Sequence, residues 1–413
     1  MTIQKQLIMI TFLLTIVFSF SVNAQNGKSV YDTNWGMNTS AIDKLVSAHM
    51  SANKIPGLTV AVAMDGRLVF AKGYGDTLRT DGAPKNVSAN SLFKIASVSK
   101  TITAATVMKL WEEGKFVTNG LGTKLFGMED DGSIFEDLYL RPGESYGKNV
   151  DLITINHLLE FTSGGWQGGA DPTWYREFEL NHEQLLEHVI ANTDSNGTWN
   201  LNSMNTPFYH NFDYLILGRV IEEVTKKSYE DVAAEKMLHP IEIFDMHLSG
   251  NDNLRYNEVD YEGIRVLHNR NRSDSAGGWI ASAKDLVKFG AMLKNHTLIE
   301  DTTWKAMMKC DTPNCKDGKG WGIGKNPDSW SKTGNFDGTR AYLKIVEYKE
   351  KEYNNDDNQK HDVVIAAIQN VLADSEYPSV LTNKILDTCR NWPDYDMFHW
   401  NNAIVGSTFS SIL

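Results

Sequence analysis

Strand-like alternation of apolar and polar residues is confined to the two ends of this chain. Residues 37–110 alternate before giving way to a helix, residues 270–390 return to strand patterns, and the stretch between is richer in helical periodicity. A chain of 413 residues also exceeds one ordinary hydrophobic core, so two lobes of mixed α/β character are expected. Near the C-terminal end, Arg340–Tyr348 and Asp362–Gln369 are rich in β-branched and apolar residues and are joined by a charged loop. That pattern predicts an antiparallel hairpin, followed by a final helix near Val380–Cys389. Ser282 with Asp285 predicts a helix start ahead of Leu286 and Phe289.

Three short segments fall in an order suited to acyl transfer: Ser97-Val98-Ser99-Lys100, Tyr209-His210-Asn211 and Lys332-Thr333-Gly334. A serine hydroxyl is a poor nucleophile at neutral pH and needs a base, a proton return and donors for the oxyanion formed on attack. Ser-x-x-Lys alone decides nothing, because it recurs at Ser51/Lys54, Ser91/Lys94, Ser145/Lys148 and Ser329/Lys332. The setting of Ser97 separates it. Ile102, Ala105, Met108 and Trp111 follow at helical spacing and Gly114 stops the run, so Ser97 opens a buried helix. Residues three apart share a helix face, which brings Lys100 to Ser97, and the positive end of the helix favours an alkoxide there. Burial beside other cations lowers a lysine pKa, the condition for Lys100 to act as a base.

Tyr-x-Asn occurs at Tyr209/Asn211 and at Tyr353/Asn355. The second lies in a polar run without an apolar anchor and reads as an exposed loop. The first runs into Tyr214–Val224, an amphipathic helix that fixes it to a rigid element. Beside lysines, Tyr209 is expected to be partly phenolate and to shuttle a proton, while Asn211 orients a lysine or a substrate carbonyl. Lys332-Thr333-Gly334 precedes a strand, and Gly334 lets a substrate backbone lie along the strand edge. The amides of Asn335 and Ser97 then form an oxyanion hole, in which one donor is worth about 10²–10³ in rate.

With these segments in this order, the chain resembles the serine β-lactamase and penicillin-binding-protein superfamily. The likeness is greatest to its class C-like branch of D-alanyl-D-alanine peptidases, D-aminopeptidases and family VIII esterases. Further phrases agree over roughly residues 40 to 390: Ile55-Pro-Gly-Leu-Thr-Val-Ala-Val, Lys72-Gly-Tyr-Gly, His157-Leu-Leu-Glu-Phe-Thr-Ser-Gly and Ala276-Gly-Gly-Trp-Ile-Ala-Ser-Ala. The resemblance implies an antiparallel sheet flanked by helices, built from residues 25–110 and 270–390, with residues 111–269 as an inserted, mostly helical lobe. It makes Ser97 the acylated residue, Lys100 and Tyr209 the proton-transfer pair and Asn211 a positioning residue. Lys332 becomes a partner for Tyr209 or a substrate carboxylate, and Thr333, Gly334 and Asn335 join it in substrate binding. The site falls in the cleft between lobes, with Trp166 and Trp174 at its mouth. Two departures stand out: His210 replaces a small residue, and Phe336-Asp-Gly-Thr lacks the hydroxyl that often meets a β-lactam carboxylate. They favour esters or amides over antibiotics as substrates.

Residues 1–24, with Lys5, an apolar run from Leu7 to Phe20 and Val22-Asn-Ala24, have the plan of a secretory signal peptide. The run is shorter than the ~20 residues of a spanning helix, so a periplasmic or secreted protein with no membrane span is expected. Loss of Lys5 takes the formal charge from −12 to −13, which argues against nucleic acid as a partner and leaves a small molecule or peptide. Among Cys310, Cys315 and Cys389, export permits one disulfide, expected at Cys310–Cys315. No spacing suggests a metal site, and no cofactor is expected. The tail 391–413 carries aromatics without a motif. Gly143-Glu-Ser145-Tyr-Gly147 matches a rival nucleophile pattern with His210 or His268 as base, but Arg141-Pro142 interrupts the strand it needs. A non-catalytic ligand binder is the other alternative, and it has no need of both a nucleophile and a buried amine.

Overall fold

The computed structural model describes residues 39–398 except 128–130, 137–145, 148, 167–170, 175–179, 194–200, 202, 250–253, 262–269, 312–316, 325–327, 350–359, 372–374, 390–391 and 393–395. The expected signal peptide, the Ser145 motif, His268, the Tyr353/Asn355 run, Cys315 and most of the tail lie outside these residues.

A seven-stranded antiparallel sheet draws on both ends of the chain. Its strands are β1 (Gly57–Met64), β2 (Arg67–Gly75), β3 (Asp317–Gly318), β4 (Trp321–Ile323), β5 (Ser329–Phe336), β6 (Thr339–Lys349) and β7 (Lys360–Asn370). Their order is β2-β1-β7-β6-β5-β4-β3. The N-terminal hairpin joins the C-terminal one through β1 and β7, with Gly57 opposite Asn370 and Met64 opposite Val363. β6 and β7 form the expected antiparallel pair, in register from Thr339/Asn370 to Lys349/Lys360. β1 is buried along its whole length because it is covered on both faces, which is why its alternation is of apolar residue sizes rather than of polarity. Leu58, Val60 and Val62 pack beneath helices α1 (Thr39–Asn53) and α5 (Pro378–Thr388) with Ile42, Val46 and Ile385. Ala61 and Ala63 face the other way, toward the larger core that holds α2 (Ser99–Glu112), α3 (Asn211–Thr225) and α4 (Ala283–Lys294). Small residues on that side let α4 approach closely, and α4 is capped as expected, Ser282 Oγ accepting from the Asp285 amide at 3.1 Å.

α2 is more deeply set than its apolar spacing predicts. Eleven of its fourteen residues are buried, including Lys100, Thr101, Thr103 and Thr106. The threonines are tolerated because each finds an acceptor: Thr103 Oγ1 donates to Ser275 O (2.6 Å) and Thr106 Oγ1 to Ile102 O (2.8 Å). Against the start of α2 runs β5, and a Cβ added at Gly334 would lie 2.1 Å from Ile95 O, so only glycine permits that approach. Below β3 and β4, Lys319 and Glu160 form a fully buried ion pair at 2.9 Å, completed by Asp311 and two carbonyls. Cys310 is disulfide-bonded and Cys389 carries a free thiol. No helix among the described residues is long and apolar enough to cross a membrane.

Candidate active site

Ser97 sits in a 3₁₀ turn, Ala96–Val98, immediately before α2, and Ala96 holds a left-handed φ of +46°. That conformation is costly for a residue with a side chain and is maintained by the packing of β5 and the Asp274–Gly277 helix around the turn. Of the Ser-x-x-Lys pairs with both members described, Ser97/Lys100 is the one joined by a side-chain contact, Lys100 Nζ lying 3.3 Å from Ser97 Oγ. Ser329 and Lys332 lie on a strand, where a spacing of three sends side chains to opposite faces.

The Lys100 amine has two further neighbours, Asn211 Oδ1 at 2.7 Å and Ala276 O at 2.5 Å, both acceptors. Burial drives its pKa well below the usual lysine range, and the Lys332 charge pushes the same way against the weaker pull of Asp171. A neutral amine has two hydrogens and one lone pair. In that neutral form Asn211 and Ala276 would take the hydrogens and the lone pair would face Ser97.

Tyr209 donates from its hydroxyl to Ser97 Oγ at 2.7 Å. The residue is 44 % exposed and its ring forms one lip of the cleft, packed against Phe161 with centroids 4.7 Å apart, while its hydroxyl lies beside Ser97. The expected partial phenolate runs against the burial of the Tyr209 hydroxyl. Desolvation of the hydroxyl raises its pKa above the ordinary value, and neither Lys100 nor Lys332 reaches the oxygen; their amines lie over the ring face, 5.0 and 5.1 Å from its centroid. Lys332 also lies over Phe161 (5.3 Å), and burial brings its pKa down to about 8. Asn335 is exposed, its amide side chain donating to Tyr377 Oη at 2.9 Å. Thr333 is exposed beside it and Gly334 is buried against Ile95.

The cleft that holds these groups has a volume of 820 Å³ and is lined by Ser97, Tyr209, Asn211, Lys332, Thr333 and Asn335. Trp174 and Phe336, edge to face at 5.5 Å, make a further wall, and Asp317 and Asp337 add two carboxylates. Trp174 is thus at the mouth as expected. Trp166 is not: it is fully buried and donates its indole N–H to Asp213 Oδ1 at 2.8 Å. His210 is turned inward, stacked on Phe208 at 5.0 Å.

Two carboxylates behind the cleft were not singled out from the sequence. Asp171 Oδ2 accepts from both the backbone amide (2.7 Å) and the side-chain amide (3.1 Å) of Asn211, at the first turn of α3. Asp213, two residues into that helix, is fully buried and accepts from Ser163 and Trp166 at 2.8 Å on Oδ1, while Oδ2 has no hydrogen-bond partner among the described residues. Burial raises its pKa from 3.8 to about 8. The folded chain therefore holds a proton that the unfolded chain releases near pH 4, so this contribution to stability is full at low pH and is lost as pH rises toward 8. Between pH 5 and 8 the stability of wild type should fall more steeply than that of Asp213→Asn, by at most about 1.4 kcal/mol per pH unit. Parallel slopes in denaturant titrations of the two proteins would contradict the buried, protonated carboxyl.

Among the described residues no group of three or more His, Cys, Asp or Glu is placed to hold a metal ion. A family model described as Beta-lactamase matches residues 42–378. Protein flp of Staphylococcus aureus (strain N315) is 24 % identical over 240 residues, covering 54 % of this chain and 41 % of that protein, so the chain spans about two fifths of that relative's length. The octameric penicillin-binding protein homologue from Pyrococcus abyssi superposes with a TM-score of 0.61 at 20 % identity, over 85 % of this chain and 77 % of its own. The D-amino acid amidase from Ochrobactrum anthropi SV3 does so with 0.60 at 15 % identity, over 84 % and 99 %. These structures share the fold of the sheet and its flanking helices.

Proposed function

The chain belongs to the beta-lactamase family, and on that footing we propose that it is an exported serine hydrolase that cleaves an ester or amide through an acyl-enzyme on Ser97. The observation that carries this reading is the position of Ser97 Oγ between the Lys100 amine, whose hydrogens are already engaged, and the Tyr209 hydroxyl that donates to it.

In this mechanism Ser97 Oγ attacks the substrate carbonyl carbon as its proton passes to Lys100, forming the C–O bond and a lysine ammonium. The carbonyl oxygen, now an oxyanion, is held by the amides of Ser97 and Asn335. When the intermediate collapses, the bond to the leaving group breaks and the Tyr209 hydroxyl supplies its proton. The Lys100 ammonium returns its proton to Tyr209 through a water in the cleft, since the amine lies over the ring and not against the hydroxyl. Water then repeats the sequence on the acyl carbonyl, with Lys100 again accepting the proton, and Ser97 is regenerated. Because the tyrosine is held protonated, it serves as acid and the lysine as base.

Charge in the cleft supports neutral substrates over anionic ones. Among its lining residues Asp317 and Asp337 outnumber Lys332, and Lys332 is only partly charged above pH 8. A carboxylate next to the scissile bond, as in a β-lactam or a D-alanyl-D-alanine terminus, meets this unfavourable field. In side-by-side turnover, p-nitrophenyl esters of short acids should exceed nitrocefin and D-alanyl peptides in kcat/KM. Efficient nitrocefin hydrolysis without esterase activity would reverse the assignment and make the chain a β-lactamase.

A further inference from the structure

We infer that Asp171 is a positioning residue for this reaction, acting through Asn211 to keep the Lys100 lone pair aimed at Ser97. This rests on the serine hydrolase reading above. An asparagine side chain presents an acceptor and a donor of nearly the same shape, and only its surroundings decide which end faces a neighbour. At Asn211 that decision falls to Asp171. A carboxylate accepts and cannot donate, so Asp171 Oδ2, 3.1 Å from the amide nitrogen, turns Asn211 Nδ2 toward itself and Oδ1 toward Lys100 at 2.7 Å. The same oxygen takes the Asn211 backbone N–H at 2.7 Å, which pins the first turn of α3 and fixes where the side chain starts. Reversal of the amide would set an N–H against the Lys100 amine. The lone pair would be drawn to that donor, an amine hydrogen would face Ser97 instead, and the base would be lost with every atom nearly in place.

Asp171 also ties this device to the substrate wall. Its second oxygen, Oδ1, accepts from the Thr173 amide at 3.0 Å and its carbonyl from the Trp174 amide at 2.9 Å, shaping the turn that carries Trp174 into the cleft. Around Lys100 the charged or titratable groups are Lys332 from β5, Asp213 and Tyr214 from α3, Tyr209 and Asp171 itself. His210 Nδ1 lies 3.8 Å from Asp171, and burial lowers the pKa of this histidine. The Asp171 charge favours the ammonium form of Lys100, so the residue has two separable effects: orientation through its acceptor and a pull on Lys100 through its charge.

The test follows the rate of Ser97 labelling by a fluorophosphonate against pH in wild type, Asp171→Asn and Asp171→Ala. Asp171→Asn keeps an acceptor toward Asn211 and removes the charge; its acid limb should move to lower pH by roughly one unit with a plateau close to wild type. Asp171→Ala removes both; its acid limb should move likewise and its plateau fall about 10²-fold. Acid limbs at the wild-type pH in both variants, or a plateau in Asp171→Ala equal to wild type, would overturn the inference while leaving the hydrolase reading intact. If Asp171→Ala does not fold, Asp171→Leu, of similar size and likewise without an acceptor, decides by its plateau: about 10²-fold below wild type is expected, and a wild-type plateau overturns the inference. Wild type that takes no label at Ser97 would instead overturn the hydrolase reading and the inference with it.

Discussion

Replacement of Ser97 by alanine should abolish ester turnover, a loss of up to about 10⁶ in kcat, while Ser145→Ala leaves it unchanged. The asymmetry follows from surroundings rather than from residue type. Ser97 is preceded by a left-handed Ala96, backed by a buried helix and contacted by both Lys100 and Tyr209, the base and the acid of the proposed mechanism. Removing Oγ leaves those groups with nothing to activate, and the residual rate is what binding and the oxyanion donors supply. Thermal unfolding of Ser97→Ala should match wild type, because the side chain is only half-buried and alanine leaves the turn's backbone contacts in place. Turnover in Ser97→Ala at more than about a thousandth of wild type would mean that the reaction uses another nucleophile.

The second large effect is expected at Lys100. Lys100→Met keeps the length of the side chain in its buried slot and removes the amine, so the fold should persist while kcat/KM falls by about 10⁴ or more, as for loss of the base in other serine hydrolases. The pH profile carries the same information. Wild type should rise with pH as Lys100 loses its proton, well below the usual lysine range, and fall again near pH 8 as Lys332 loses its own. In the proposed mechanism Lys332 in its charged form adds to burial in keeping Lys100 neutral. Lys332→Met should therefore remove the fall near pH 8 and move the rise to higher pH, since one of the two causes depressing the Lys100 pKa is gone. An acid limb unmoved by Lys332→Met would mean that burial alone neutralises Lys100.

Much of this was legible in the sequence wherever local pattern and long-range structure agree. The β6–β7 hairpin and α2 follow from β-branched content and helical spacing, and Ser97 was separable from the other Ser-x-x-Lys serines because only its segment leads into such a helix. Polarity of the site was less legible. Tyr209 looked like a phenolate because two lysines lie nearby, yet a cation over the ring face does little for an oxygen that burial has desolvated. Trp166 in its Gly-rich loop looked like a rim residue and is instead spent on Asp213. Asp213 had a signal that went unused, a carboxylate in the first turn of a helix otherwise apolar on that face. Asp171 had little: it precedes a proline in a loop, and its role depends on a partner forty residues away in the chain. The Ala276 carbonyl is invisible to side-chain motifs altogether, although the phrase containing it was part of the family resemblance.

The most direct measurement is mass spectrometry of the protein after reaction with a fluorophosphonate or a slowly released ester, followed by mapping of the modified peptide. One adduct per chain is predicted, on the peptide that contains Ser97, absent from Ser97→Ala and slowed in Lys100→Met. An adduct on any other residue, or substrate turnover with no covalent species trapped at Ser97, would contradict the account.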